Sequence, residues 1–166
     1  RGIPYDSWHH HYQMEEFIAL AQSAPETTLV IDHFGTPVGV GRYSEKRDEV
    51  YANLNANMAK VATCPNVVAK LGGMAMPDNG FPWAESDMQA TAEEFAEAQR
   101  DYYLSAIDCF GSDRCMFESN FPVDRQSCSY RVLWNSFKKL VQDFSADERD
   151  QLFYRTATQT YRIDAQ

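Results

Sequence analysis

The chain has 166 residues, of which 44% are hydrophobic and 13% aromatic, and 24 acidic side chains against 15 basic ones give a formal net charge of −9. That is apolar material enough for one domain with its own core and too much for a disordered chain. The acidic balance and the lack of a basic cluster argue against a nucleic-acid partner, and no apolar run approaches the roughly 20 residues that a membrane span needs.

Ile3 to Ser7 reads as a strand, with Pro4 near its start. Met14, Phe17, Ile18 and Ala21 then recur at helical spacing and predict an amphipathic helix over 12–23, stopped before Pro25. Thr28 to Asp32 is a short buried strand with His33 at its carboxyl end, and Gly35 and Pro37 break the chain straight afterwards. Val50, Leu54, Met58 and Val61 stripe a helix near 45–62; Pro65-Asn66 turns into a strand at 67–71, ended by Gly72-Gly73. Residues 74–90 form a long loop of the kind that often carries function. Thr91 and Glu94 make a capping box for a helix reaching Phe110, striped by Phe95, Ala98, Tyr102, Ala106 and Cys109 and stopped by Gly111. Cys115 to Glu118 is a fourth strand, running into Ser119-Asn120-Phe121-Pro122-Val123-Asp124. Leu133, Phe137, Leu140, Val141 and Phe144 stripe the next helix, and the Ser145/Glu148 capping box opens a last one ending near Tyr161.

Short apolar strands alternating with helices imply parallel pairing through helical crossovers, and so an α/β fold. In such folds chemistry gathers at the carboxyl lips of the strands. The functional reading therefore turns on whether the lip after Asp32 and the lip after Glu118 face one pocket. Cys64, Cys109, Cys115 and Cys128 show no CxxC spacing, as expected of reduced thiols in a cytoplasmic protein. The chain starts at Arg1 with no signal-peptide pattern, and His9-His10-His11 sits inside a patterned segment.

Four stretches carry a resemblance. Pro25 to Gly35 (PETTLVIDHFG) resembles the sixth strand and lip histidine of the amidohydrolase 2 family of TIM-barrel hydrolases. Cys64 to Gly73 (CPNVVAKLGG) resembles its seventh strand, and Phe110 to Pro122 (FGSDRCMFESNFP) its eighth; Thr156-Ala157 and Tyr161-Arg162 resemble its closing helix. The resemblance implies the C-terminal half of a (β/α)8 barrel, with residues 1–166 forming one domain and the N-terminal half of the barrel missing. It points to the lactonase-like branch: a hydrolase of a lactone or related cyclic ester, with a decarboxylase or hydratase, or a barrel that only binds a small acid, as alternatives. The implied partners are a small-molecule substrate and either the missing half or a second copy of the chain.

The family implies a divalent metal such as zinc, but two departures argue for weak binding or none. The first-strand His-x-His motif does not occur; the pair His9 and His11 has the spacing but follows what should be the fifth strand. Asn120 stands where much of the family has an aspartate, and a neutral amide is a poor base and a poor ligand for a hard cation.

Each candidate residue has a second, structural reading. His33 can polarise a carbonyl or orient water, or be a hydrogen-bonded structural histidine. Asn120 can hold a substrate oxygen or water, or cap the loop before Pro122. Asp124 can stand in for the missing carboxylate or be a surface turn residue. Lys70, within an apolar strand, can bind an anionic substrate or bridge to a carboxylate inside the barrel. Arg42 or Arg47 can reach a substrate carboxylate or be solvated. His9, His10 and His11 are weaker candidates as metal nitrogens.

Overall fold

The computed structural model describes residues 2–86 and 90–163; Asp87, Met88 and Gln89 of the long loop lie outside it. Strands β1 (Tyr5–Ser7), β2 (Leu29–Asp32), β3 (Val67–Leu71) and β4 (Cys115–Phe117) pair in parallel in the order β1-β2-β3-β4. Helices α1 (Met14–Ser23), α2 (Arg47–Ala62) and α3 (Ala92–Phe110) make the crossovers, and α4 (Tyr130–Leu140), α5 (Ala146–Asp150) and α6 (Thr156–Tyr161) follow β4. This is the alternation that the sequence pattern predicts. Among the described residues no helix is long and apolar enough to cross a membrane.

The register sorts side chains by face. Asp32 pairs with Lys70 and Lys70 with Met116, while Ile31 pairs with Ala69 and Ala69 with Cys115. Since strand side chains alternate, Leu29, Ile31, Val67, Ala69, Leu71, Cys115 and Phe117 form one face, and Asp6, Val30, Asp32, Val68, Lys70 and Met116 the other. The first set packs into the core with Phe17, Leu54, Met58, Phe95, Tyr103, Phe137 and Leu152. Fully burying such side chains contributes about 1.5–3 kcal/mol each. Cys109, expected on the α3 stripe, is only half-buried at its rim.

Helix ends follow local chemistry. Both capping boxes form: the Glu94 backbone N–H donates to Thr91 Oγ1 (3.2 Å), and that of Glu148 to Ser145 Oγ (3.2 Å). The opposite ends are tied by two side chains that collect orphan carbonyls. Asn66 Nδ2 donates to Ala21, Ala24 and Thr27, and Arg114 donates to Phe110, Cys64 and Ala62. These ties close the amino-terminal end of the strands and leave the carboxyl end to the loops.

Three expected boundaries shift. β1 begins at Tyr5, because Pro4 has no N–H to give and the Tyr5 N–H makes the bond to Thr28 O (2.9 Å). α4 stops at Leu140, short of Phe144, because Ser145 must be extended to cap α5. The last helix is not continuous: a π-helical turn, Gln151–Arg155, joins α5 to α6, burying Leu152 completely and setting the Phe153 ring 4.9 Å from Phe117.

Candidate active site

The two lips meet. β2 leaves the sheet through His33 (φ +55°) and Phe34 (φ +59°), both left-handed, in a tight turn closed by Thr36 N–H to His33 O (2.7 Å). β4 leaves through Glu118 and Ser119 to Asn120 (φ +49°). A non-glycine residue held left-handed costs on the order of 1 kcal/mol, so both exits are strained. Across the gap His33 Nδ1 makes a short hydrogen bond to Glu118 Oε1, 85 residues away in the chain. A carboxylate can only accept, so Nδ1 carries a proton, and Nε2 has its lone pair when the imidazole is neutral. Glu118 is anchored by its own N–H on Leu71 O (3.1 Å).

Gly72 and Gly73 make room for this pair. A Cβ on Gly73 would lie 2.6 Å from His33 Nδ1, and one on Gly72 would lie 2.3 Å from Glu118 Cγ. The two glycines that end β3 are thus the floor on which the lip pair rests. Burial works against charge on His33, but the Glu118 bond and the carboxylates of Glu118, Asp32 and Asp124 outweigh it, and the imidazole is held above its usual pKa.

Beside the pair, Asn120 Nδ2 donates to Asp124 Oδ1 (2.8 Å), and the Asp124 backbone N–H donates to Asn120 O (3.2 Å). Asp124 lies on a short 3-10 turn, Val123–Gln126, and is completely buried. Burial pushes its carboxyl up to about 7, with Glu118 adding to the rise, while the Asn120 and Ala75 hydrogen bonds and His33 oppose it. The reading of Asp124 as a surface turn residue is therefore corrected: the turn forms, but it points the carboxyl inward. Tyr103 from α3 is fully buried behind it, its phenol pushed up by burial and by the charges of Asp124, Glu118 and Cys128. Among the described residues, neither Tyr103 Oη nor Asp124 Oδ2 has a hydrogen-bond partner.

The other candidates lie elsewhere. Lys70 Nζ sits 2.9 Å from Asp32 Oδ1 and makes a short bond to Asp6 Oδ2, with its charge 5.4 Å from the centre of the Tyr161 ring. Tyr161 Oη donates to the same Asp6 oxygen (2.7 Å). Burial alone would make this lysine less basic, but its bonds to Asp6, Tyr161 and Asp32 win and raise its pKa. The bridging geometry considered for Lys70 is therefore present, and its charge is already matched by two carboxylates. Arg42 is exposed, its guanidinium 4.8 Å from the Tyr43 ring centre and 5.6 Å from that of Tyr12. None of its contacts among the described residues is with His33, Asn120 or Asp124. Arg47 donates to Gly80 O (2.8 Å) and lies over Phe81.

His9 and His11 are structural in this setting. His9 Nε2 contacts Met14 Sδ (3.3 Å) with its ring stacked on Phe17, and His11 Nδ1 accepts from the Val38 N–H (3.2 Å). Burial lowers the pKa of both. A zinc ion needs at least three convergent N, S or carboxylate donors. Among the described residues no such group of His, Cys, Asp and Glu exists; His33 Nδ1 is engaged by Glu118, and Asn120 offers a neutral amide. The residues present do not fit a metal.

Glu118 and Tyr103 escaped the reading of the sequence as site residues. Glu118 reads as the end of an apolar strand, CMFE, and Tyr103 falls outside the α3 stripe, which runs through its neighbour Tyr102. The available signal was the glycine pair at 72–73, since two glycines at a strand lip mark a close approach.

Comparison with known proteins bears on this arrangement. The chain is 36% identical over 163 residues to the uncharacterized protein y4mH of Sinorhizobium fredii, covering 98% of this chain and 48% of that protein. It is 29% identical over 136 residues to an L-fucono-1,5-lactonase of Burkholderia multivorans, covering 81% of this chain and 43% of the relative. The chain thus spans about half the length of the curated relatives it matches. The crystal structure of an amidohydrolase from Burkholderia multivorans with bound zinc superposes with a TM-score of 0.81 at 26% identity, over 96% of this chain and 52% of that one. Amidohydrolase 2 from Bifidobacterium longum subsp. infantis shares the fold at 22% identity, with a TM-score of 0.63 over 97% of this chain and 50% of that one. These structural neighbours are TIM barrels, so the four parallel strands are half of a (β/α)8 barrel. The family model for amidohydrolases matches residues 1–163, and the chain belongs to the amidohydrolase family.

Proposed function

We propose that the protein is a hydrolase acting on a lactone or related cyclic ester of a small organic or sugar acid. One observation carries the reading: the His33–Glu118 pair, built across two strand lips on a glycine floor, in which Nε2 of His33 bears the lone pair of the neutral imidazole. The lactonase from Burkholderia multivorans supports the substrate class.

His33 Nε2 takes a proton from water as the water oxygen bonds to the ester carbonyl carbon. The ring C–O bond then breaks, and the imidazolium returns the proton to the leaving alkoxide oxygen. Glu118 stabilises the imidazolium between these steps and keeps the ring in one tautomer. Asn120 contacts the substrate or the water through its amide. No step runs through the zinc of the Burkholderia structure, since the residues described for this chain do not assemble a site for it.

The four strands supply half of a barrel lip, so turnover depends on a second half: a complementary four-stranded segment or a second copy of this chain. Edge strands with unpaired backbone groups favour such association. Light scattering after size-exclusion chromatography tests the assembly, and a stable 19 kDa monomer with a cooperative melt would refute it.

A panel of sugar and dicarboxylate lactones, assayed with and without chelator, tests the activity. The expected kcat/KM rises with pH through a limb above the ordinary histidine value near 6.5, because His33 must lose its proton to act. Glu118→Gln moves that limb down. Binding of a small acid without turnover, or turnover indifferent to Glu118, would sink the hydrolase reading.

A further inference from the structure

We propose that Asp124 is a positioning residue that decides which end of the Asn120 carboxamide is offered at the lip: the acceptor Oδ1 while Asp124 is ionised, the donor Nδ2 once Asp124 is protonated. Asn120 and Asp124 are clamped twice, by Nδ2 to Oδ1 (2.8 Å) and by the reciprocal backbone bond (3.2 Å). The left-handed backbone at Asn120 fixes where its side chain starts. An ionised carboxylate only accepts, so the amide must turn its NH2 inward, which leaves Oδ1 outward. Among the described residues that oxygen has no protein partner, and Asn120 is part-exposed whereas Asp124 is completely buried.

A proton on Asp124 reverses the demand. A neutral carboxyl carries an O–H, which is best accepted by the amide oxygen, and turning the amide over puts NH2 at the lip. On Oδ2, buried and without a partner, an O–H would find no acceptor, whereas a proton on Oδ1 faces the Asn120 amide. The groups around it come from every adjoining element: Asn120 and Glu118 from the β4 lip, His33 from the β2 lip, the Ala75 backbone after β3, Tyr103 from α3, and Cys128 beyond the turn. Glu118 favours the proton and a charged His33 opposes it, while burial is the largest influence and sets the change at about 7. The lip therefore offers a donor on the acid side of neutrality and an acceptor on the alkaline side.

This inference rests on the proposed site only in giving Asn120 a ligand, and its test uses none. The chain, in the assembly it adopts, is followed by NMR from about pH 5 to about pH 9, a range spanning the ordinary histidine value. Three signals are read: the Asp124 carboxyl carbon, the Asn120 side-chain NH2 and the His33 ring nitrogens. The expected result is one inflection near pH 7 shared by Asp124 and Asn120. Asp124→Asn removes the Asn120 inflection and leaves that of His33; His33→Asn leaves the Asn120 inflection in place. If Asp124→Asn does not fold, the wild type and His33→Asn decide alone. An Asn120 signal that stays flat while Asp124 titrates overturns the proposal. So does an Asn120 inflection that follows His33 and disappears in His33→Asn.

Discussion

Two polar clusters stand on this half-barrel, and they are completed to different degrees. The Asp6–Lys70–Asp32–Tyr161 cluster lies on the strands themselves, with Tyr161 reaching it from α6. One lysine meets two carboxylates, and a phenol donates to one of them. It stands on regular strand register, Asp32 opposite Lys70. The His33–Glu118–Asn120–Asp124 cluster lies just past the strands, on backbone forced left-handed at His33 and Asn120. Its neutral histidine keeps a nitrogen lone pair, and two buried oxygens, Tyr103 Oη and Asp124 Oδ2, have neither a hydrogen bond nor an ion pair among the described residues, whereas Asp32 Oδ1, also without a hydrogen bond, lies 2.9 Å from Lys70 Nζ. Saturated charges hold a structure together, whereas strain and unspent hydrogen-bonding capacity mark where a molecule does work. On that criterion we propose His33 for function and Lys70 for architecture, although both were site candidates on sequence.

The comparison breaks most sharply at His33. His33→Asn is expected to lower kcat on the identified substrate by about a hundredfold or more, the usual scale for a lost acid–base group. Near wild-type turnover would move the active lip elsewhere. Lys70→Met tests the other cluster. Leaving Asp6 and Asp32 facing each other without a cation should cost about 3 kcal/mol, at the low end for breaking a buried pair because these side chains are partly exposed. Chemical denaturation reads that loss; an unchanged midpoint would show the pair to be idle.

The two clusters also separate by pH. An unfolded aspartate releases its proton near 3.8, whereas folded Asp124 keeps it to about 7. The unfolded chain therefore binds fewer protons in that window, and stability falls as pH rises across it. His33 acts in the same direction somewhat higher: its folded pKa is raised, so its contribution is full below 6.5 and is lost as pH climbs through the raised value. Lys70 is raised above 10.5, so its contribution persists until more alkaline pH. Melting between about pH 4 and about pH 8 should show Asp124→Asn flattening the slope and gaining on the order of 2 kcal/mol over wild type at the alkaline end. An unaltered slope would mean that Asp124 does not hold its proton. The smallest expected effect is at Tyr161→Phe, which removes one hydrogen bond to Asp6 and should cost about 1 kcal/mol with no change in the His33 titration. A shift of the His33 titration would show that the two clusters are not separate.

The sequence by itself determined the alternation of strands and helices, both capping boxes and the position of His33 at a strand lip. Those features are written in short-range periods and in residues three apart, which a single chain displays openly. It also determined that Lys70, inside an apolar strand, needed a partner. Tertiary structure alone decided that Glu118 is the partner of His33, because a contact across 85 residues depends on strand order and register, which no local period encodes. It decided likewise that Asp124 turns inward. A turn residue reads the same in sequence whether its carboxyl meets water or is sealed in, and the groups that influence the buried Asp124 carboxyl, Asn120, Glu118, His33 and Tyr103, come from separate elements.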